Sequence, residues 1–104
     1  MMQKKGLNMV VHIVLFRFHD ENKDSNLKEA KGLLEGLLGR VPTLKSMEVG
    51  INFCDEARAF DLSIYSTFDS KEALREYATH PEHLRVVEFF KVASAGSKVV
   101  DYEV

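Results

Sequence analysis

Four residues hold most of the acid–base chemistry that this 104-residue chain offers near neutral pH: His12, Tyr77, His80 and His83. Three of them fall within seven positions, Tyr77-Ala78-Thr79-His80-Pro81-Glu82-His83. An imidazole of ordinary basicity is about three-quarters neutral at pH 7, so it can accept a proton there. A tyrosine hydroxyl can orient such a histidine or donate a hydrogen bond to a substrate carbonyl. Tyr77 and His83 stand at i and i+6 across a proline, so only a fold that bends there brings them together. Each residue also has a plain structural reading. His80, before Pro81, suits a helix cap or a backbone hydrogen bond; His12 suits a satisfied core histidine, and Tyr77 suits packing against Ala73 and Leu74. His83 suits a partly buried position at a dimer interface.

Other chemistries are poorly supported. His80 and His83 at i, i+3 offer two metal ligands where a site takes three or four, so no metal is expected. The acidic run Asp20, Glu21 and Asp24 lacks the calcium-loop pattern and reads as a solvated loop. Cys54 is followed by Asp55 and Glu56, whose carboxylates disfavour a thiolate nucleophile. No phosphate loop, dinucleotide-binding glycine motif, zinc-protease motif or serine-hydrolase elbow is present, and no cofactor is expected.

These residues need elements to position them. Val10–Phe18 (VVHIVLFRF) is dense in β-branched and aromatic residues and reads as a strand. Asp24, Ser25 and Asn26 are competent N-caps for a helix of about four turns through Leu27, Ala30, Leu34, Leu37, Leu38 and Val41. Gly32 and Gly36 weaken that helix by about 1 kcal/mol each, and Gly39 and Pro42 close it. Met47–Phe53 alternates as a second strand, and Asp55–Arg58 is a turn. A third strand carries Phe60, Leu62, Ile64, Ser66 and Phe68 on one face, with Asp61, Ser63, Tyr65 and Thr67 on the other. The second and third strands are expected to form a hairpin.

Asp69 and Glu72 resemble a capping box for a helix through Ala73, Leu74 and Tyr77. Proline is welcome at a first helical position, so a second helical segment restarts at His80-Pro81. Its apolar stripe is either Leu84, Val87 and Phe90 or Val86, Phe89 and Ala93. Ala95-Gly96-Ser97 reads as a break before a last strand, Lys98–Val104.

The order β-α-β-β-α-β defines an α+β, ferredoxin-like protomer. Its two helices cover one sheet face. The first strand is nevertheless apolar on both faces, with Val11, Ile13 and Leu15 on one and Val10, Val14, Phe16 and Phe18 on the other. A strand with one wet face alternates instead. The chain has no spare element to cover that face, so a second copy is expected, giving a homodimer whose sheets close into an α/β barrel around a shared interior.

Length and composition agree. One domain, residues 9–104, is expected, with Met1–Asn8 a disordered or vector-derived leader. The chain is 45% hydrophobic and 29% charged, an ordinary globular balance. Fourteen Lys and Arg against sixteen Asp and Glu give a net charge of −2, which argues against a nucleic-acid partner. A single cysteine fits a reducing compartment, and no apolar run approaches the roughly 18 residues of a membrane helix. A cytoplasmic protein with no membrane partner is expected.

Taken together, His12–Phe18, Ser46-Met47-Glu48-Val49-Gly50, the Y-x-x-H-P-x-H stretch and the closing Val99-Val100-Asp101-Tyr102 resemble the stress-responsive dimeric α/β-barrel (Dabb) family. The resemblance covers nearly all of 9–104 and implies the same ferredoxin-like protomer and homodimeric barrel. The family is mixed in chemistry. One plant branch is similar to a polyketide cyclase that closes a ring by intramolecular aldol chemistry with a tyrosine and a histidine. Carried over, these fall on Tyr77 and His83 as catalytic residues, with His12 lining the same cavity; His12 and His80 are the expected substrate-binding residues. The leading expectation is a stress-associated barrel binding a small apolar or polyketide-like molecule in its interior. Alternatives are a cofactor-independent cyclase or lyase, a cofactor-free monooxygenase, and a purely structural dimer packed solid.

Overall fold

A computed structural model describes residues 8–104, so all but the last residue of the expected leader lies outside the described residues. Strand β1 (Val10–Phe18) is followed by helix α1 (Lys23–Glu35), strands β2 (Ser46–Ile51) and β3 (Leu62–Phe68), helices α2 (Lys71–Thr79) and α3 (Pro81–Ala93), and strand β4 (Ser94–Glu103). The strands form one antiparallel sheet in the order β2-β3-β1-β4, and β2 and β3 make the expected antiparallel pair. This is the expected ferredoxin-like α+β arrangement.

Alternation along β1 and β3 sorts the sheet. Val10, Val14, Phe18, Leu62, Ile64 and Phe68 join one core with Leu27, Ala30 and Leu34 of α1, Tyr77 of α2, and Val86, Phe90 and Ala93 of α3. Apolar burial of this kind is the main stabilising term for a chain this size. The opposite face bears Leu15, Tyr65, Val100 and Tyr102, all large and exposed, around the half-buried Ile13.

Local details depart from expectation where tertiary contacts override periodicity. Helix α1 starts earlier: its N-cap is Asn22, in the left-handed region at φ 56°, and Asp24, Ser25 and Asn26 lie inside the helix. Asparagine tolerates that region better than most residues. Lys23 is held there by Asp20 and Asp61, at 3.3 and 3.4 Å. The helix also ends earlier, at Gly36. A Cβ at Gly36 would meet the Gly32 carbonyl at 3.3 Å, closer than ordinary contact. Leu37 and Val41 remain buried, but through turns containing Gly39 at φ 95°. Their spacing mimics a helix because successive tight turns also return the chain every three or four residues.

Ser70, not Asp69, caps α2 by accepting from the Ala73 amide at 3.0 Å, and Asp69 instead pairs with Lys45 at 2.9 Å. The buried stripe of α3 mixes the two expected sets as Val86, Phe90 and Ala93, with Leu84 exposed. No break separates α3 from β4. Ala95-Gly96-Ser97 lies within the strand, and a register shift against Arg17/Phe18 absorbs the irregularity. The second and third strands are shorter than expected. The segment between them is closed by the Asn52 amide donating to the Asp61 carbonyl at 2.9 Å, and it exposes Phe53 and Cys54.

Candidate functional site

His12 lies on the helix-facing side of β1, opposite Ser66 of β3 and Asp101 of β4. Its Nδ1 is hydrogen-bonded to the Asp101 carboxylate, which fixes the ring and leaves Nε2 for other partners. Tyr77 occupies the last turns of α2 and is buried against three rings, with centroid distances of 5.1 Å to Phe68, 4.3 Å to His83 and 6.4 Å to His12. Burial pushes the Tyr77 phenol well above its ordinary range, so it stays protonated and serves as a donor. Its hydroxyl takes part in no side-chain hydrogen bond among the described residues.

The proline restart places His83. His80 ends α2 in extended geometry, and its Nδ1 accepts from the Glu82 amide at 3.1 Å, capping α3. With Pro81 at the first position of the new helix, α3 leaves at an angle that sets the His83 ring beside Tyr77. His83 Nδ1 lies 3.0 Å from the Ala78 carbonyl. A carbonyl only accepts, so Nδ1 carries the proton, and in the neutral ring Nε2 presents its lone pair. Desolvation lowers the His83 pKa first, with the charges of His12 and His80 acting in the same direction and the Ala78 carbonyl opposing them. The ring is therefore neutral at pH 7 and available as a base. Because the folded value is depressed, the contribution of the neutral ring is present above the ordinary value of 6.5 and is lost as pH falls through the folded value. An NMR titration of the His83 ring is expected to give a midpoint below 6.5, and in unfolding experiments His83→Gln is expected to flatten the loss of stability on acidification.

His12, Tyr77 and His83 line one end of a cavity of about 310 Å³, while His80 is not part of its wall. Val14, Phe16 and Ile64 of the sheet, Leu34 of α1, and Val86, Val87 and Phe90 of α3 form most of the remaining lining. That volume is at the low end of the roughly 300–1,000 Å³ typical of ligand sites. The cavity lies between the sheet and the helices of a single chain, on the side to which His12 and Asp101 point, whereas the space expected from the residues lay between two sheets. Two lining or supporting residues, Asp101 and Lys91, did not emerge from sequence reasoning. Asp101 becomes visible only through the β1–β4 register, and Lys91 only through the path of α3 along the cavity.

Among the described residues no group of three His, Cys, Asp or Glu side chains could hold a metal ion, and no helix is long and apolar enough to cross a membrane.

A four-stranded antiparallel sheet, helices on one of its faces and a ring-lined cavity between them define a ferredoxin-like α+β domain with a ligand-sized interior. The chain belongs to the stress responsive A/B barrel domain (Dabb) family, whose model matches residues 10–104. It is 32% identical over 79 residues to a stress-response A/B barrel domain-containing protein of Arabidopsis thaliana. That match takes in 76% of this chain but only 30% of the plant protein, so the chain spans less than a third of that relative's length. A dimeric protein of unknown function and ferredoxin-like fold from Bacteroides fragilis is 32% identical, with a TM-score of 0.85 over 92% of this chain and 96% of that one. The hydroxynitrile lyase of Passiflora edulis shares the fold, with a TM-score of 0.81 at 22% identity over 92% of this chain and 93% of that one. At that identity the likeness is one of fold alone.

Proposed function

We propose that this chain is a self-associating domain that binds a small, mainly apolar carbonyl compound in the cavity between its sheet and its helices. One observation carries this reading: the Tyr77, His83 and His12 rings converge at one end of a mainly apolar cavity. A phenol held protonated is a hydrogen-bond donor for a carbonyl oxygen, and the apolar wall removes the rest of the ligand from water. Self-association is supported by the exposed apolar sheet face and by the dimeric state described for the Bacteroides fragilis protein.

A catalytic reading follows from the tautomer of His83. With its Nδ1 proton donated to Ala78, Nε2 can take a proton from the carbon next to the bound carbonyl. The electron pair of that C–H bond moves into an enolate, whose oxygen Tyr77 steadies by donation. This is the first step required of a cofactor-independent cyclase, and in general of carbon–carbon chemistry next to a carbonyl.

Acetophenone in heavy water tests both readings. Calorimetry is expected to show binding that Val86→Phe, which fills the cavity, abolishes. NMR is expected to show faster exchange of the methyl protons for deuterium, reduced by about 100-fold or more in His83→Gln. Binding without accelerated exchange would leave a binding domain and remove the catalytic reading; undisturbed binding by Val86→Phe would remove the cavity reading itself.

A further inference from the structure

We infer that the ligand of this cavity is amphiphilic: an elongated apolar carbonyl compound that carries a carboxylate or similar anion at its far end, held by Lys91. The inference rests on the reading that the cavity binds a carbonyl compound, and it assigns the opposite end of the same site. The cavity wall runs along β1 from His12 to Phe16 and along α3 from His83 to Lys91. Four strand residues span about 13 Å. Eight helical residues span about 12 Å. The two measures agree on a channel with the Tyr77–His83 pair at one end and Lys91 at the other.

The middle offers a polar group nothing to bind, since Val14, Ile64 and Phe90 supply it. At the far end the chemistry changes. Ser94 also lines that end, but its hydroxyl donates to the Phe90 carbonyl at 2.6 Å and so has no proton left for an anion. Lys91 pairs with Glu88 at 3.1 Å, one turn earlier on an exposed helix face. Exposed pairs of this kind contribute little, and an ammonium has three donors, so Lys91 can serve a ligand anion while keeping Glu88. Lys91 lines the wall while about two-thirds of its side chain stays exposed (66%), as fits a lysine at the rim of an apolar site. The chain as a whole is slightly acidic, so the attraction is local to this lysine rather than a property of net charge.

The test compares a nine-carbon acid ending in a methyl ketone with its methyl ester, titrated by calorimetry at about pH 8 and low salt, where histidine rings are mainly neutral. The wild-type protein is expected to bind the acid about fivefold more tightly than the ester, the upper range for a partly exposed ion pair. Lys91→Gln is expected to bind the two alike, Lys91→Glu to prefer the ester, and Glu88→Gln to enlarge the preference for the acid. Equal binding of acid and ester by the wild type, or a preference that survives Lys91→Gln, would overturn this inference and leave the carbonyl-binding reading in place. Binding of neither compound would overturn both.

Discussion

Phe68→Ala is expected to destabilise the protein by about 3–5 kcal/mol, the range for removing a buried aromatic side chain from a core. Phe68 is the largest fully buried side chain and ends β3 opposite Val10. Its ring packs against Tyr77 at 5.1 Å and His12 at 6.3 Å. Truncation leaves a void bounded by α2 and the sheet, and both of those walls are tied down, by the Ser70 cap and by the strand ladder. Small domains hold only about 5–15 kcal/mol in total, so the loss is a large fraction of what there is. Urea unfolding monitored by circular dichroism measures it. Phe68→Leu, which keeps much of the volume, is expected to lose less. A cost below about 1 kcal/mol for the alanine variant would mean that the sheet–helix core is not organised around this residue. Because the same ring supports Tyr77 and His12, ligand binding is expected to weaken even where the variant still folds.

Ile13→Asp is expected to turn a dimer into a monomer without unfolding it. Ile13 lies on the open face of β1, between Tyr65 of β3 and Val100 of β4. Tyr65 and Val100 remain exposed in the isolated protomer, so an added carboxylate there can stay hydrated and the fold should persist. In a face-to-face dimer the same carboxylate would be buried without a partner, which costs several kcal/mol. A penalty near 4 kcal/mol corresponds to about a thousandfold weaker association. Sedimentation velocity would show the wild type near twice the 11.8 kDa chain mass and the variant near the chain mass. A wild-type monomer, or a variant dimer of unchanged affinity, would show that this sheet face does not carry self-association.

Much of this fold was legible because strand alternation is a short-range signal. The faces of β3 followed from reading every second residue, and the double-sided apolar character of β1 pointed to an open sheet face. Helix ends were less legible. Asp24, Ser25 and Asn26 are all plausible caps, and what selects Asn22 is a tertiary matter: Lys23 reaches Asp61, 38 residues away. Asp69 is a sound cap by type, yet Lys45 engages it and Ser70 takes its place. The site was legible as a motif and not as a geometry. The proline between Tyr77 and His83 suggested that the two rings could meet, whereas the tautomer of His83 depends on a carbonyl five residues away. Asp101 is 89 positions from His12, and only the strand register joins them. The position of the cavity was the main thing the residues alone did not give. An apolar strand says that both faces are covered, but not which side keeps a space.

Methyl-resolved NMR with acetophenone distinguishes a ligand held between the sheet and the helices of one chain from one held between two sheets. Val14, Ile64 and Val86 line the helix-side cavity, whereas Ile13, Leu15 and Val100 lie on the open sheet face. Contacts between the ketone protons and the methyl groups of Val14, Ile64 and Val86, lost in Val86→Phe, are the predicted result. Contacts with Ile13, Leu15 and Val100 instead would place the ligand between the sheets and contradict a site on the helix side.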